Sequence, residues 1–368
     1  MSAKRIAILD RELAGYTLAC LRILKQNFKV VTMVFHYSPA ANAPFDHGNI
    51  EGIDYTYNRK DYTFKQMLEI VEQFGPQIIK IGSWMDPAYL KIGRLYKKKG
   101  IPVIAGLNTQ SDGSVGQRLY RQYVPLYLKR CIDYLWVTGD RQTAYAKKLG
   151  YNGNQIRYGL FCCDWNRFAP SFYMTENKSE DAFLFVGKYT SSKGVEDLLN
   201  AYRNYRRSAD NPWKLYCAGD GVLKGKIERE PGVENFGFIQ PKNLPKLMQK
   251  SKALVLPSLV ETWGISIQEA TAAGLPILCS DVCGAGGHLV QDNYNGFVFE
   301  AGNTDHLTES LIMMSNLSEY ERNEMSEAGF ELSKQFKPER WASTLMKLIG
   351  TDNNTVLAAE TGNTAKLS

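Results

Sequence analysis

The chain has 368 residues, of which 44% are hydrophobic and 22% charged, and its formal net charge is +6. That length exceeds one ordinary core and points to two domains, and the balance is that of a globular chain, not a disordered or fibrous one. Apolar runs are short and broken by proline or charge, which argues against a membrane-spanning helix, and Ile6–Leu9 is too brief for a signal-peptide core.

Taken in chain order, the first half alternates short apolar strands with helical patterns. Strands are predicted at 5–9, 30–35, 77–82, 101–106 and 134–138, and helices at 16–26, 63–74, 87–99, 114–130 and 140–149. The second half repeats the alternation, with strands at 183–186, 214–218, 253–256, 276–280 and 297–299. Strands that alternate with helices imply parallel sheets with right-handed crossovers, and two such series imply two doubly wound α/β domains facing a cleft. The linker is placed at 159–170. This gives an N-terminal domain over 1–165 and a C-terminal domain over 166–350. Residues 351–368 lack an apolar face and read as a flexible tail.

Charge separates the halves. Residues 1–165 carry 23 Lys and Arg against 13 Asp and Glu, a balance of +10, whereas residues 166–368 carry 21 against 25. A basic half suggests either anionic partners or a solvated surface. The stretch 118–130 mixes basic and aromatic residues, including Arg118, Arg121, Lys129 and Arg130, near the run Lys97-Lys98-Lys99. It reads either as a peripheral face for an anionic membrane or as a buried helix with charged flanks. No recognition motif accompanies the charge, which speaks against nucleic acid. The seven cysteines are odd in number, scattered and without a CxxC pair, which fits reduced thiols in a cytoplasmic protein. With no Asp-x-Asp and four histidines, no metal site is expected.

The strongest chemical signal is Glu261-Thr262-Trp263-Gly264-Ile265-Ser266-Ile267-Gln268-Glu269, which follows the apolar run 253–256 and Pro257-Ser258. Two helical positions eight apart differ by about 80° around the axis. Glu261 is therefore placed on a strand-to-helix loop, Glu269 inside the helix and Gly264 at its N-terminus, where free N–H groups favour a phosphate. A carboxylate on each side of an anion site suits a ligand with hydroxyls at both ends of a diphosphate, as in a sugar nucleotide. A second element agrees. After strand 183–186 comes Gly187-Lys188-Tyr189-Thr190-Ser191-Ser192-Lys193-Gly194, which puts two lysines on a small-residue turn. They are either solvated loop lysines or point charges for a pyrophosphate.

Together these motifs resemble the C-terminal domain of the retaining glycosyltransferases of family 4, which have the GT-B fold. Glu261 and Glu269 match the family's E-x7-E. Gly187-Lys188-Tyr189 and Lys193-Gly194 match its G-R-L-x-x-x-K-G, with Lys in place of Arg. Gly219-Asp220-Gly221, Ser280-Asp281-Val282-Cys283-Gly284 and Asn295-Gly296 match its later turns in order. The resemblance covers the C-terminal half and is looser in the N-terminal half. It implies two Rossmann-like domains, a last helix that packs back on the first domain, and a metal-independent transfer from a nucleotide-diphosphate sugar without cofactor. It implies that Glu269 binds the ribose, that Glu261 meets the donor sugar, and that Lys188 and Lys193 meet the diphosphate. Gly15, Gly187, Gly219, Gly221, Trp263, Gly264 and Ile265 would line the donor. The family often carries a histidine where Asn108 stands, so Asn108 is expected at the acceptor and a His-assisted step is in doubt. The expected acceptor is a glycan, a lipid-linked molecule or a small molecule, in cell-surface polysaccharide or glycoconjugate synthesis, and a uridine donor is favoured over a guanosine one. Two alternatives stand: a GT-B sugar-nucleotide epimerase and a silent sugar-nucleotide-binding module.

Overall fold

The structure is a computed structural model that describes residues 3–38, 52–82, 84–110, 125–173 and 180–349. The first sheet contains β1 (Arg5–Leu9), β2 (Val31–His36), β3 (Tyr55–Asn58), β4 (Ile78–Ile81), β5 (Val103–Leu107), β6 (Tyr134–Val137) and β7 (Ile156–Tyr158). Its strand order is β3-β2-β1-β4-β5-β6-β7. The second contains β8 (Ala182–Val186), β9 (Lys214–Ala218), β10 (Val233–Gly237), β11 (Ala253–Leu256), β12 (Ile277–Ser280) and β13 (Gly296–Phe299), ordered β10-β9-β8-β11-β12-β13. All these strand pairs are parallel. Both sheets reverse strand order beside their first strand, which places a crevice at the carboxyl ends of β1 and β8.

The central strands are apolar throughout because helices cover both faces. Ile6, Ala7, Ile8 and Leu9 of β1 have no exposed surface, and neither do Phe183, Leu184 and Phe185 of β8. Three strands absent from the expectation are β3, β7 and β10. Each is an edge strand, and edges carry short, partly polar segments such as Tyr55-Thr56-Tyr57-Asn58. The expected helix at 114–130 lies largely outside the described residues, although 125–131 are helical; the tail at 351–368, Arg118 and Arg121 also lie outside them. Among the described residues no helix is long and apolar enough to cross a membrane.

The last helix, Pro338–Ile349, returns to the first sheet. Trp341, Ala342, Leu345 and Leu348 pack into the core formed by Ile6, Ile8, Leu21 and Trp136. The Trp341 ring stacks on Trp136 with centroids 4.8 Å apart, and its Nε1 donates to the Leu160 carbonyl at 3.1 Å. The first domain thus buries side chains from both ends of the chain.

Candidate active site

Three loops leave the carboxyl edge of the second sheet and interlock through glycines. A Cβ at Gly219 would lie 1.9 Å from the Gly187 carbonyl oxygen, so the loop after β9 rests directly on the loop after β8. Gly194 has φ +67°, and a Cβ there would lie 1.8 Å from the Pro257 oxygen, which ties the same loop to the one after β11. Backbone contacts this close admit no side chain. Tyr189 is buried between these loops and donates from its hydroxyl to Asn235 at 2.8 Å.

This packing fixes the charged groups. Lys193 forms an ion pair with the Glu261 carboxylate, which is itself buried. Glu261 also accepts a hydrogen bond of 3.4 Å from the Trp263 amide. Gly264 follows with φ +99°, a left-handed conformation that favours glycine, and it starts the helix Ile265–Ala272 without a side-chain cap. The first N–H groups of that helix therefore have no intrahelical partner. Glu269 lies one turn further on and keeps only part of its surface accessible. Burial pushes its carboxyl up to about 8; the Arg167 charge opposes this and the Asp164 charge adds to it.

These groups surround a cavity of about 350 Å³ between the two sheets. Of the expected site residues, Gly187, Lys188, Lys193 and Gly219 line it from the first two loops. Glu261, Gly264, Ile265 and Glu269 line it from the third, and Gly15 comes from the opposite domain. Lys188 is exposed, whereas Lys193 is already paired. Gly15 starts the helix Gly15–Phe28 and faces Pro241: a Cβ there would sit at an ordinary 3.8 Å, so nothing steric demands glycine.

Three expected positions fall outside the cavity wall. Gly221 has φ +153° and packs on Tyr189, where a Cβ would lie 2.6 Å from the carbonyl oxygen; it shapes the loop and does not face the cavity. Trp263 is 2% exposed and turns the other way, towards His288 and Phe336, with centroids 5.5 Å from each. Asn108 follows β5, where its backbone carbonyl accepts from Gln142 at 3.4 Å and its Oδ1 is buried without a partner among the described residues.

Sequence reasoning missed the wall supplied by the crossover between the domains. Asp164 accepts from Arg22 at 2.6 Å and forms an ion pair with Arg167 at 3.0 Å, and both Asp164 and Arg167 line the cavity. Tyr16 lines it beside Gly15, edge-on to Phe161 with centroids 5.2 Å apart; burial, then the Asp10 charge, raise its hydroxyl pKa. Phe238, Ile239, Gly219 and Asp220 also line the cavity, whereas Val222 and Leu223 do not. The charged pair at 164 and 167 flanks aromatic Trp165 in the linker, but no periodicity marks it as part of a site. Among the described residues, no group of three His, Cys, Asp or Glu side chains is placed to hold a metal ion.

The fold is GT-B. The chain superposes on a glycosyltransferase from Rickettsia africae with a TM-score of 0.72, covering 95% of this chain and 98% of that one at 13% identity. It superposes on Anabaena HepE in complex with UDP with a TM-score of 0.73, covering 93% and 98% at 13% identity. Residues 171–332, which hold the second sheet and the two glutamates, match the family model of glycosyl transferases group 1. An uncharacterized glycosyltransferase of Methanocaldococcus jannaschii is 32% identical over 171 residues, 45% of this chain and 46% of that protein. The O-antigen chain mannosyltransferase B of Escherichia coli is 30% identical over 107 residues, 27% and 28% of the respective chains. The matched stretch spans less than half the length of each of these two relatives.

Proposed function

We propose that the protein is a glycosyltransferase that moves a sugar from a nucleotide-diphosphate sugar to an acceptor hydroxyl, with retention of configuration and without a metal ion. One observation carries the reading. A single cavity between the two domains gathers the exposed Lys188, the Lys193–Glu261 pair, the uncapped helix start at Gly264 and the carboxyl of Glu269. Negative charge grows on the leaving diphosphate, and prearranged cations and amides in a water-poor cleft stabilise it as it forms. Lys188 and Lys193 supply the cations, and the N–H groups of Ile265 and Ser266 supply the dipoles. Glu269 takes the ribose hydroxyls, and Glu261 takes those of the donor sugar. Attack from the face the diphosphate leaves needs no dedicated base, because a leaving phosphate oxygen accepts the acceptor's proton. That fits an asparagine at 108, which cannot carry the proton itself.

A uridine donor is favoured, with support from the UDP held by the Anabaena neighbour of the same fold. The acceptor is a glycan or lipid-linked molecule held by the first domain, in line with a relative named for O-antigen synthesis. Residues 1–165 form the acceptor domain and 166–350 the donor domain, except that the last helix, Pro338–Ile349, packs back on the acceptor domain. The basic excess of the first half supports a position peripheral to an anionic membrane face, and the scattered cysteines support a cytoplasmic protein. The test is cleavage of UDP-, GDP- and ADP-sugars, with and without candidate acceptors. Slow hydrolysis of one donor class, accelerated by an acceptor, is the expected result; binding without any cleavage would make the protein a silent sugar-nucleotide binder.

A further inference from the structure

The loop that carries Glu261 has two faces. Glu261, Gly264 and Ile265 turn towards the cavity, whereas Thr262 and Trp263 turn towards the first domain. What meets them there is the start of the helix Asp140–Lys148. Gly139 packs so closely that a Cβ would lie 2.5 Å from His288 Nε2 and 2.9 Å from the Trp263 ring. The Asp140 amide donates to His288 Nε2 at 3.3 Å, and Arg141 donates to the carbonyls of Asp281, at 2.6 Å, and Val282. Gln142 is 1% exposed, and its Nε2 donates to Asn108 O at 3.4 Å and Thr262 O at 3.1 Å.

The Thr262 carbonyl has little room to find another partner. A Cβ on Gly284 would lie 2.3 Å from that oxygen, and the Ala285 amide already holds the neighbouring Trp263 carbonyl at 2.7 Å. One side-chain amide thus joins the carboxyl edge of the first sheet, at Asn108, to the residue next to Glu261. Both acceptors are backbone carbonyls, so the group between them must supply two N–H donors. A primary amide does so without charge, and a carboxylate would face two lone pairs.

We propose that Gln142 is a positioning residue, which sets Glu261 and the helix start at Gly264 in register with the cavity by tying the Thr262 carbonyl to the first domain. Its effect on turnover rests on the glycosyltransferase reading above; its effect on the loop does not. Asp140, Arg141 and His288 hold the same seam at other points, so the domains stay docked when Gln142 changes, and what is lost is the local register of one turn.

The test uses Gln142→Met, which keeps the volume but not the donors, and Gln142→Glu, which keeps the shape but repels both carbonyls. In Gln142→Met, kcat for donor cleavage should fall about three- to ten-fold, the scale of one hydrogen bond, while KM and nucleoside-diphosphate affinity stay within about two-fold. Gln142→Glu should lose more at neutral pH and recover relative to wild type as pH falls and its carboxyl gains a proton. A structural filler would give wild-type kcat in Gln142→Met, and that result overturns the proposal. Amide hydrogen exchange of ligand-free protein supplies a second reading. Residues 261–264 should exchange faster in Gln142→Met, while 187–194 should be unchanged; equal exchange at 261–264 also overturns it. If wild type cleaves no nucleotide sugar, the transferase reading fails, and the exchange result still decides the role of Gln142.

Discussion

The two sheets share the strand order 3-2-1-4-5-6 but finish their carboxyl edges differently. In the second, glycines at 187, 194 and 219 press three loops together until backbone touches backbone, and the charged side chains are left pointing into one cavity. In the first, the edge is built from side chains. Asp10, just after β1, pairs with buried Lys80 of β4, and the Cβ that Gly82 lacks would overlap the Asp10 carboxylate. Thr138, just after β6, has a buried hydroxyl without a partner among the described residues, as Asn108 has a buried oxygen. A site for one unvarying group, such as a diphosphate, can be made of backbone and a few fixed charges. Under the proposed function, the edge built of side chains would face the acceptor.

The largest effect is expected at Lys193. Lys193→Ala should cost roughly 2–4 kcal/mol of transition-state stabilisation, read as kcat/KM for donor cleavage. It also leaves the buried Glu261 carboxylate unpaired, so the melting temperature should fall as well. Wild-type kinetics would remove Lys193 from the site. Glu261→Ala sharpens the point with an opposite sign. Turnover should drop, but nucleoside-diphosphate affinity should hold or rise, because Lys193 is then free for the phosphate. A parallel loss of affinity would place Glu261 at the nucleotide.

Gly194→Ala tests the backbone half of the contrast without touching a charge. Its positive φ and the Pro257 oxygen leave no room for a methyl group, so stability should fall by about 1–3 kcal/mol in denaturant unfolding. No change would mean that the three loops are not interlocked.

A smaller effect is expected from pH. The folded carboxyl of Glu269 titrates at about 8, above its ordinary 4.5. Between those values the folded chain keeps a proton that the unfolded chain has lost. The contribution is complete below about 4.5 and is lost as pH rises towards 8. The melting temperature of wild type should therefore fall more steeply over that window than that of Glu269→Gln. Parallel slopes would show that this carboxyl is ionised in the fold.

Much of this was readable from residues. β1, β9 and β11 are expected with the observed bounds because buried parallel strands read as continuous apolar runs. The edge strands β3, β7 and β10 escaped because one side of each is free of a neighbour and their sequences carry no such run. Around the cavity, Glu261, Lys193, Gly264 and Glu269 were legible because they sit on one strand-loop-helix pattern each. Asp164, Arg167 and Tyr16 were not, since they reach the cavity only through the crossover and the opposed domain. The resemblance puts Trp263 and Gly221 at the donor, but in the fold both turn into packing, Trp263 towards the first domain and Gly221 against Tyr189.

In the proposed function the cavity takes a nucleoside diphosphate by protein groups alone. Calorimetric titration of UDP, GDP and ADP into the protein in excess EDTA tests it directly. One nucleotide, expected to be UDP, should bind at a single site with no divalent ion present, and Glu269→Ala should weaken that binding by about 1–3 kcal/mol through loss of the ribose contact. No binding by any of the three in EDTA, with binding restored by Mg²⁺ or Mn²⁺, or equal affinity in wild type and Glu269→Ala, would contradict it.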